Sequence, residues 1–68
     1  DVAVQEAETA RRERPYDPSA ALDLGWLHIR AGSHAAALAA FDQGLRISSG
    51  DTGLAHGRAR ALLELDRR

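Results

Sequence analysis

Pro18-Ser-Ala-Ala-Leu-Asp-Leu-Gly-Trp-Leu-His-Ile-Arg-Ala-Gly-Ser-His-Ala-Ala-Ala-Leu-Ala-Ala-Phe-Asp-Gln-Gly-Leu45 reads as two helices joined by a tight turn at Gly32-Ser33. Ala21, Leu24, Gly25 and His28 fall at i, i+3, i+4 and i+7, which places them on one helical face. Ala37, Phe41, Gly44 and Leu45 line up in the same way on the second helix. Gly25 and Ala37 are small enough for two helix backbones to approach closely, and Leu24 and Phe41 fill the seam beside them. The stretch therefore predicts a helical hairpin held along one interlocking strip.

Outward from the hairpin, the N-terminal segment from Val2 to about Glu13 is rich in Ala, Gln, Glu and Arg, all strong helix formers. Ala3, Ala7 and Ala10 give it a narrow face of small residues. Arg11, Arg12 and Arg14 crowd its C-terminal end, where positive charge complements the helix dipole; this explains the cluster without an anion site. Pro15 stops the helix, because the residue before a proline avoids the helical region. Asp17 suits an N-cap and Pro18 the first helical position. The second helix is expected from Pro18 to Arg30 or Ala31, closed by Gly32 in the left-handed C′ position. With Ser33 as a cap, the third helix is expected from His34 to Ser48. Ser48-Ser49-Gly50-Asp51 is composed of turn residues. Asp51 or Thr52 caps a fourth helix from Thr52 to Asp66, with Leu54, Leu62 and Leu65 as its apolar positions. Gly53 and Gly57 each weaken that helix by roughly 1 kcal/mol relative to Ala, so its start is expected to fray.

The second helix carries another apolar stripe, Leu22, Trp26 and Ile29, and Leu27 widens the arc further. Asp23 and Arg30 are its only charges. A helix apolar nearly all round is buried on more than one side, so one packed partner does not satisfy it.

Composition narrows the function classes. With 68 residues the chain is at most one small domain, marginal if it stands alone. It has no cysteine for disulfides or thiolate metal sites. Nine basic and ten acidic residues are interspersed, for a formal net charge of −1, and no basic stripe argues for nucleic acid. No apolar run reaches the roughly 18 residues of a membrane span. The chain begins at Asp1 without Met, and we expect a fragment of a longer protein. His28, His34 and His56 do not have a metal-ligand spacing, and His28 on the seam reads as a packed histidine. Ser19, Ser33, Ser48 and Ser49 fall at helix starts or turns, where capping explains them. No glycine-rich phosphate loop or facing carboxylate pair is present. We expect no catalytic residue, no metal and no cofactor.

Leu24-Gly25-x-x-His28 followed by Ala37-x-x-x-Phe41 resembles the tetratricopeptide repeat (TPR) pattern L-G-x2-Y … A-x3-F. Ala21 stands where that family often has Trp, His28 where it usually has Tyr, and Ser49 where it usually has Pro. A shift of about 34 residues, the period of the family, superposes the two ends of the chain on its centre. Ala3, Ala7 and Ala10 land on Ala37, Phe41 and Gly44, and Pro15, Asp17 and Arg12 on Ser49, Asp51 and Arg46. Ala21, Gly25, His28 and Ala31 land on Ala55, Ala59, Leu62 and Leu65. The resemblance implies an all-α chain of about four helices in antiparallel hairpins with right-handed stacking. Residues 1–15 would be the second helix of one repeat, 18–51 a full repeat, and 52–68 the first helix of the next.

By the same resemblance, the first helices of repeats line a concave face that binds peptides or partner proteins. Carried over by position, that face comprises Leu22, Trp26, Ile29, Arg30, His56, Arg60, Leu63 and Glu64. Some members grip a peptide carboxylate with Lys, Asn and Arg. Leu22 and Trp26 occupy the first Lys and Asn positions here, which argues for an apolar groove instead. The implied role is a non-enzymatic protein–protein interaction scaffold with a protein or peptide partner, and without nucleic acid or membrane. A self-association module, with terminal helices completing each other in a homodimer and Trp26 protected there, is the alternative; a regulatory appendage of a larger enzyme is another.

Overall fold

A computed structural model describes Val2 to Arg67; Asp1 and Arg68, the outermost residues of the expected segments, lie outside the described residues. Four helices follow one another: α1 (Val2–Glu13), α2 (Pro18–Arg30), α3 (His34–Ile47) and α4 (Thr52–Asp66), and there is no strand among the described residues. The sequence expectations hold to within a residue. Ser48 lies just past α3 rather than in it, since its backbone has left the helical region (φ −135°, ψ 80°) and only its N–H still bonds back to Gly44.

The connectors show why the helices start and stop where they do. Asp17 has extended backbone, and its carboxylate accepts from Ser19 N–H at 2.9 Å, with Pro18 opening α2. At the other end Gly32 adopts φ +82°, Gly32 N–H donates to Ile29 O and Ser33 N–H to His28 O. That pair of bonds is the Schellman closure, which needs a residue free of a Cβ penalty in the left-handed region. Asp51 caps α4 by accepting from Leu54 N–H at 3.1 Å. Ser33 corrects an expectation: it stands at the N-cap of α3 but makes no side-chain cap bond. The Schellman turn already fixes the chain there.

The core is one strip. Ala21, Leu24 and Gly25 of α2, Ala37, Ala40, Phe41 and Gly44 of α3, and Leu54, Gly57 and Ala61 of α4 are buried. Ala21 meets Gly44, and Gly25 meets the Phe41 ring, so α2 and α3 run antiparallel. Gly44 meets Leu54 and Phe41 meets Gly57, so α3 and α4 are antiparallel as well. Leu22 lies beside Gly53 and Trp26 beside His56, which sets α2 and α4 parallel. α1 packs on α2 alone, and none of its residues is buried. On α4 the expected apolar set is corrected: Leu54 is buried, but Leu62 is 40% exposed and Leu65 only half-buried, while Gly57 and Ala61 enter the core. Gly57, a weak residue in an isolated helix, is here the seat of the Phe41 ring.

Candidate functional site

Phe41 fixes the geometry on which every surface feature depends. Its ring is fully buried between two glycines. A Cβ placed on Gly25 would fall 2.5 Å from ring carbons, and one on Gly57 would fall closer still. Three helices thus close on one aromatic side chain because two of them give up theirs. Trp26 completes the arrangement, edge-on to Phe41 with ring centroids 5.5 Å apart, a favoured aromatic geometry.

The expected concave face is brought together only in part. Leu22, Trp26 and Ile29 are half-buried and packed against the core, so most of that stripe is spent within the chain. Trp26 reaches His56 with ring centroids 6.0 Å apart, which joins the α2 and α4 portions. Part of its shelter therefore comes from its own chain. Arg30 is exposed, as are His56, Arg60 and Leu63. Arg60 pairs with Glu64 at 3.2 Å along α4, and Glu64 also takes Arg67 at 3.3 Å. These charges are engaged at the surface, where such pairs contribute little.

The larger concavity lies elsewhere, between α1 and α2. It is an open groove of about 640 Å³. From α1 it is walled by Ala3, Glu6, Ala7 and Ala10, and from α2 by Ala20, Asp23 and Leu27, with Trp26 and Arg30 at its edge. Each buried residue of α3 and α4 lies 34 positions after one of the residues on these walls. Ala37, Ala40, Phe41 and Gly44 correspond to Ala3, Glu6, Ala7 and Ala10, and Leu54, Gly57 and Ala61 to Ala20, Asp23 and Leu27. Ala7 stands 34 positions before Phe41, and its small side chain leaves room in the groove, whereas Asp23, 34 positions before Gly57, brings a carboxylate to the wall.

Of these walls, the small face of α1 was legible in the sequence, and so was the excess apolar arc of α2. Glu6, Ala20, Asp23 and Leu27 escaped notice as site residues. The shift that matched the seams would have found them, had it been applied to the residues α4 buries rather than to the face α2 buries.

A second, smaller groove of about 360 Å³ brings Glu8, Arg11 and Arg12 of α1 to His28 of α2 and Gln43 of α3, with Leu24 and Ala40 at its base. Among the described residues no cluster of His, Cys, Asp and Glu is arranged to hold a metal ion, and no helix is long and apolar enough to cross a membrane. The only interhelical ion pair that joins α3 to α4 among the described residues is Asp42–Arg58, at 2.5 Å and half-exposed. Compared with family models, curated proteins and solved structures, the chain finds no match.

Proposed function

We propose that the chain is part of a tetratricopeptide-like array of right-handed stacked hairpins, and that its role is non-enzymatic: it offers apolar helix faces to a protein or peptide partner. The observation that carries this is the correspondence between the groove walls and the buried residues of α3 and α4. It relates positions by their surroundings and not by residue type, since Glu6 answers to Ala40 and Asp23 to Gly57, and its offset is the period of that family. The parallel α2–α4 and antiparallel α2–α3 and α3–α4 contacts support the same arrangement, in which each first helix is held by its own hairpin partner and by the next first helix. Repeats of this kind bury a continuous core only by stacking on their neighbours.

Within that reading the groove between α1 and α2 is a better binding place than the concave face, because Leu22, Trp26 and Ile29 already serve the core. Its occupant is a helix laid along the groove, the mode in which an amphipathic segment inserts its apolar residues between two others. Trp26 at the edge of the groove is the reporter, since the chain has one tryptophan. A panel of amphipathic helical peptides, varied at the residue that would face Ala7, is titrated while Trp26 emission is followed. Peptides with a large apolar residue at that position are expected to give a saturable shift that Ala7→Arg abolishes. Flat titrations with every peptide would rule the groove out as a binding site.

A further inference from the structure

We infer that the smaller groove, where α1, α2 and α3 meet, binds a phosphoryl group carried on a side chain of a protein partner. The inference is independent of the repeat arrangement. Glu8, Arg11 and Arg12 line this groove from α1, at i, i+3 and i+4, on another face from the Ala3, Ala7 and Ala10 wall of the larger one. His28 comes from α2, one turn after the buried Leu24, and Gln43 comes from α3. The opening has a local cause. Ala36, Ala39 and Ala40 stand on one face of α3, and their methyl groups leave a space of about 360 Å³. That volume is at the low end of small-molecule clefts, roughly 300–1,000 Å³.

Around that space stand donors with nothing to donate to. Among the described residues, none of Arg11, Arg12, His28 and Gln43 makes a side-chain hydrogen bond or an ion pair. Arg58, Arg60 and Arg67, by contrast, each reach a carboxylate. Glu8 is the one acidic residue of the lining, and it pairs with neither arginine although Arg12 lies one turn on. The dipole of α1 accounts for arginines at its C-terminal end. It gives no reason for a histidine and a glutamine of two other helices to line the same groove.

The donor set selects the ligand chemistry. Two guanidinium forks, an imidazole N–H and an amide group offer more hydrogens than the two oxygens of a carboxylate readily accept. A phosphomonoester brings three strong acceptor oxygens and about −1.5 to −2 charge, and guanidinium binds it bidentately. Two arginines against one glutamate leave this lining one positive charge in excess, whereas the larger groove sets Glu6 and Asp23 against Arg30. Leu24 and Ala40 make the base buried and apolar, which strengthens charge interactions above it. The alanines of α3 give the residues next to the phosphorylated one an apolar wall, which favours a peptide carrier over free phosphate.

Heteronuclear correlation spectra of the isotope-labelled 68-residue chain test this, with acetyl-Ala-Ala-phosphoserine-Ala-Ala-amide added at constant ionic strength. Saturable shifts are expected at the Gln43 side-chain amide and at Nε of Arg11 and Arg12, with Arg46 unmoved. Arg11→Gln combined with Arg12→Gln is expected to weaken binding at least tenfold; glutamine is about as good a helix former as arginine, so far-UV circular dichroism should match the parent. Glu8→Gln removes the competing carboxylate and is expected to tighten binding at least twofold, a gain that no folding defect imitates. Arg14, outside the lining, serves as the control, and Arg14→Gln should bind as the parent does. Shifts that fail to saturate, or a double variant that binds like the parent, would overturn the site. A peptide with glutamate in place of phosphoserine that binds as tightly would overturn phosphate in favour of a carboxylate. Inorganic phosphate binding as tightly as the peptide would overturn the protein carrier in favour of the free ion. Each of these failures leaves the larger groove untouched, since that groove is read through Trp26.

Discussion

Phe41 is the residue on which the packing turns. It is the only phenylalanine and is fully buried, with its ring seated on Gly25 and Gly57 and edged by Trp26. Truncating such a side chain removes its transfer free energy and leaves a cavity, so Phe41→Ala is expected to cost about 3–5 kcal/mol. A small domain has little more than that in reserve, and a thermal melt should show the variant largely unfolded at ambient temperature. Gly57→Ala is the sharper test. In an exposed helix that change gains up to about 1 kcal/mol, yet here the new methyl runs into a ring that has no room to withdraw. We expect a net loss of about 1–3 kcal/mol, as overpacked cores show, measured by urea unfolding. Phe41 and Gly25 announced themselves in the sequence through their spacing. Gly57 did not, because a glycine near a helix start reads as weakness until its partner across the seam is known.

Helix boundaries were legible almost throughout, since they depend on local chemistry: a proline that blocks continuation, an aspartate that accepts the first free N–H groups, a glycine that takes a positive φ. The exception, Ser33, shows the limit of local reading. Its type suits a cap, but the Schellman turn immediately before it already sets the entry of α3, and its hydroxyl bonds to no cap N–H. The contrast is measurable. Asp51→Ala removes a bond that the structure contains and is expected to lower stability by about 1 kcal/mol. Ser33→Ala removes none and should leave the melting temperature within error of the parent. The apolar positions of α4 were harder to read. Leu62 has the helical spacing of a core leucine, but periodicity gives a face without saying which neighbour covers it, and the face of α4 that meets α3 is Leu54, Gly57 and Ala61.

At the scale of the molecule, the ends explain the middle. α2 is apolar on nearly all sides because it meets α1, α3 and α4, whereas α1 meets only α2 and buries no residue of its own. The nearly all-round apolar character of α2 foretold this crowding; the groove beside it could not be foreseen from one helix, since it is made by two elements and by the placing of a third. The same logic moved the expected binding surface. Leu22, Trp26 and Ile29 share a stripe in the sequence, but in three dimensions they close on the core, and the unfilled space lies at Ala7, Ala20 and Leu27. The packing as a whole depends on one ring joining three helices. A two-dimensional nuclear Overhauser spectrum observes this directly, because the single phenylalanine makes its ring protons unambiguous. We expect cross-peaks from the Phe41 ring to the α-protons of both Gly25 and Gly57, each shifted upfield by the ring current. Cross-peaks to Gly25 alone, with Gly57 at an ordinary shift, would show that α4 does not close on the hairpin and would contradict the account.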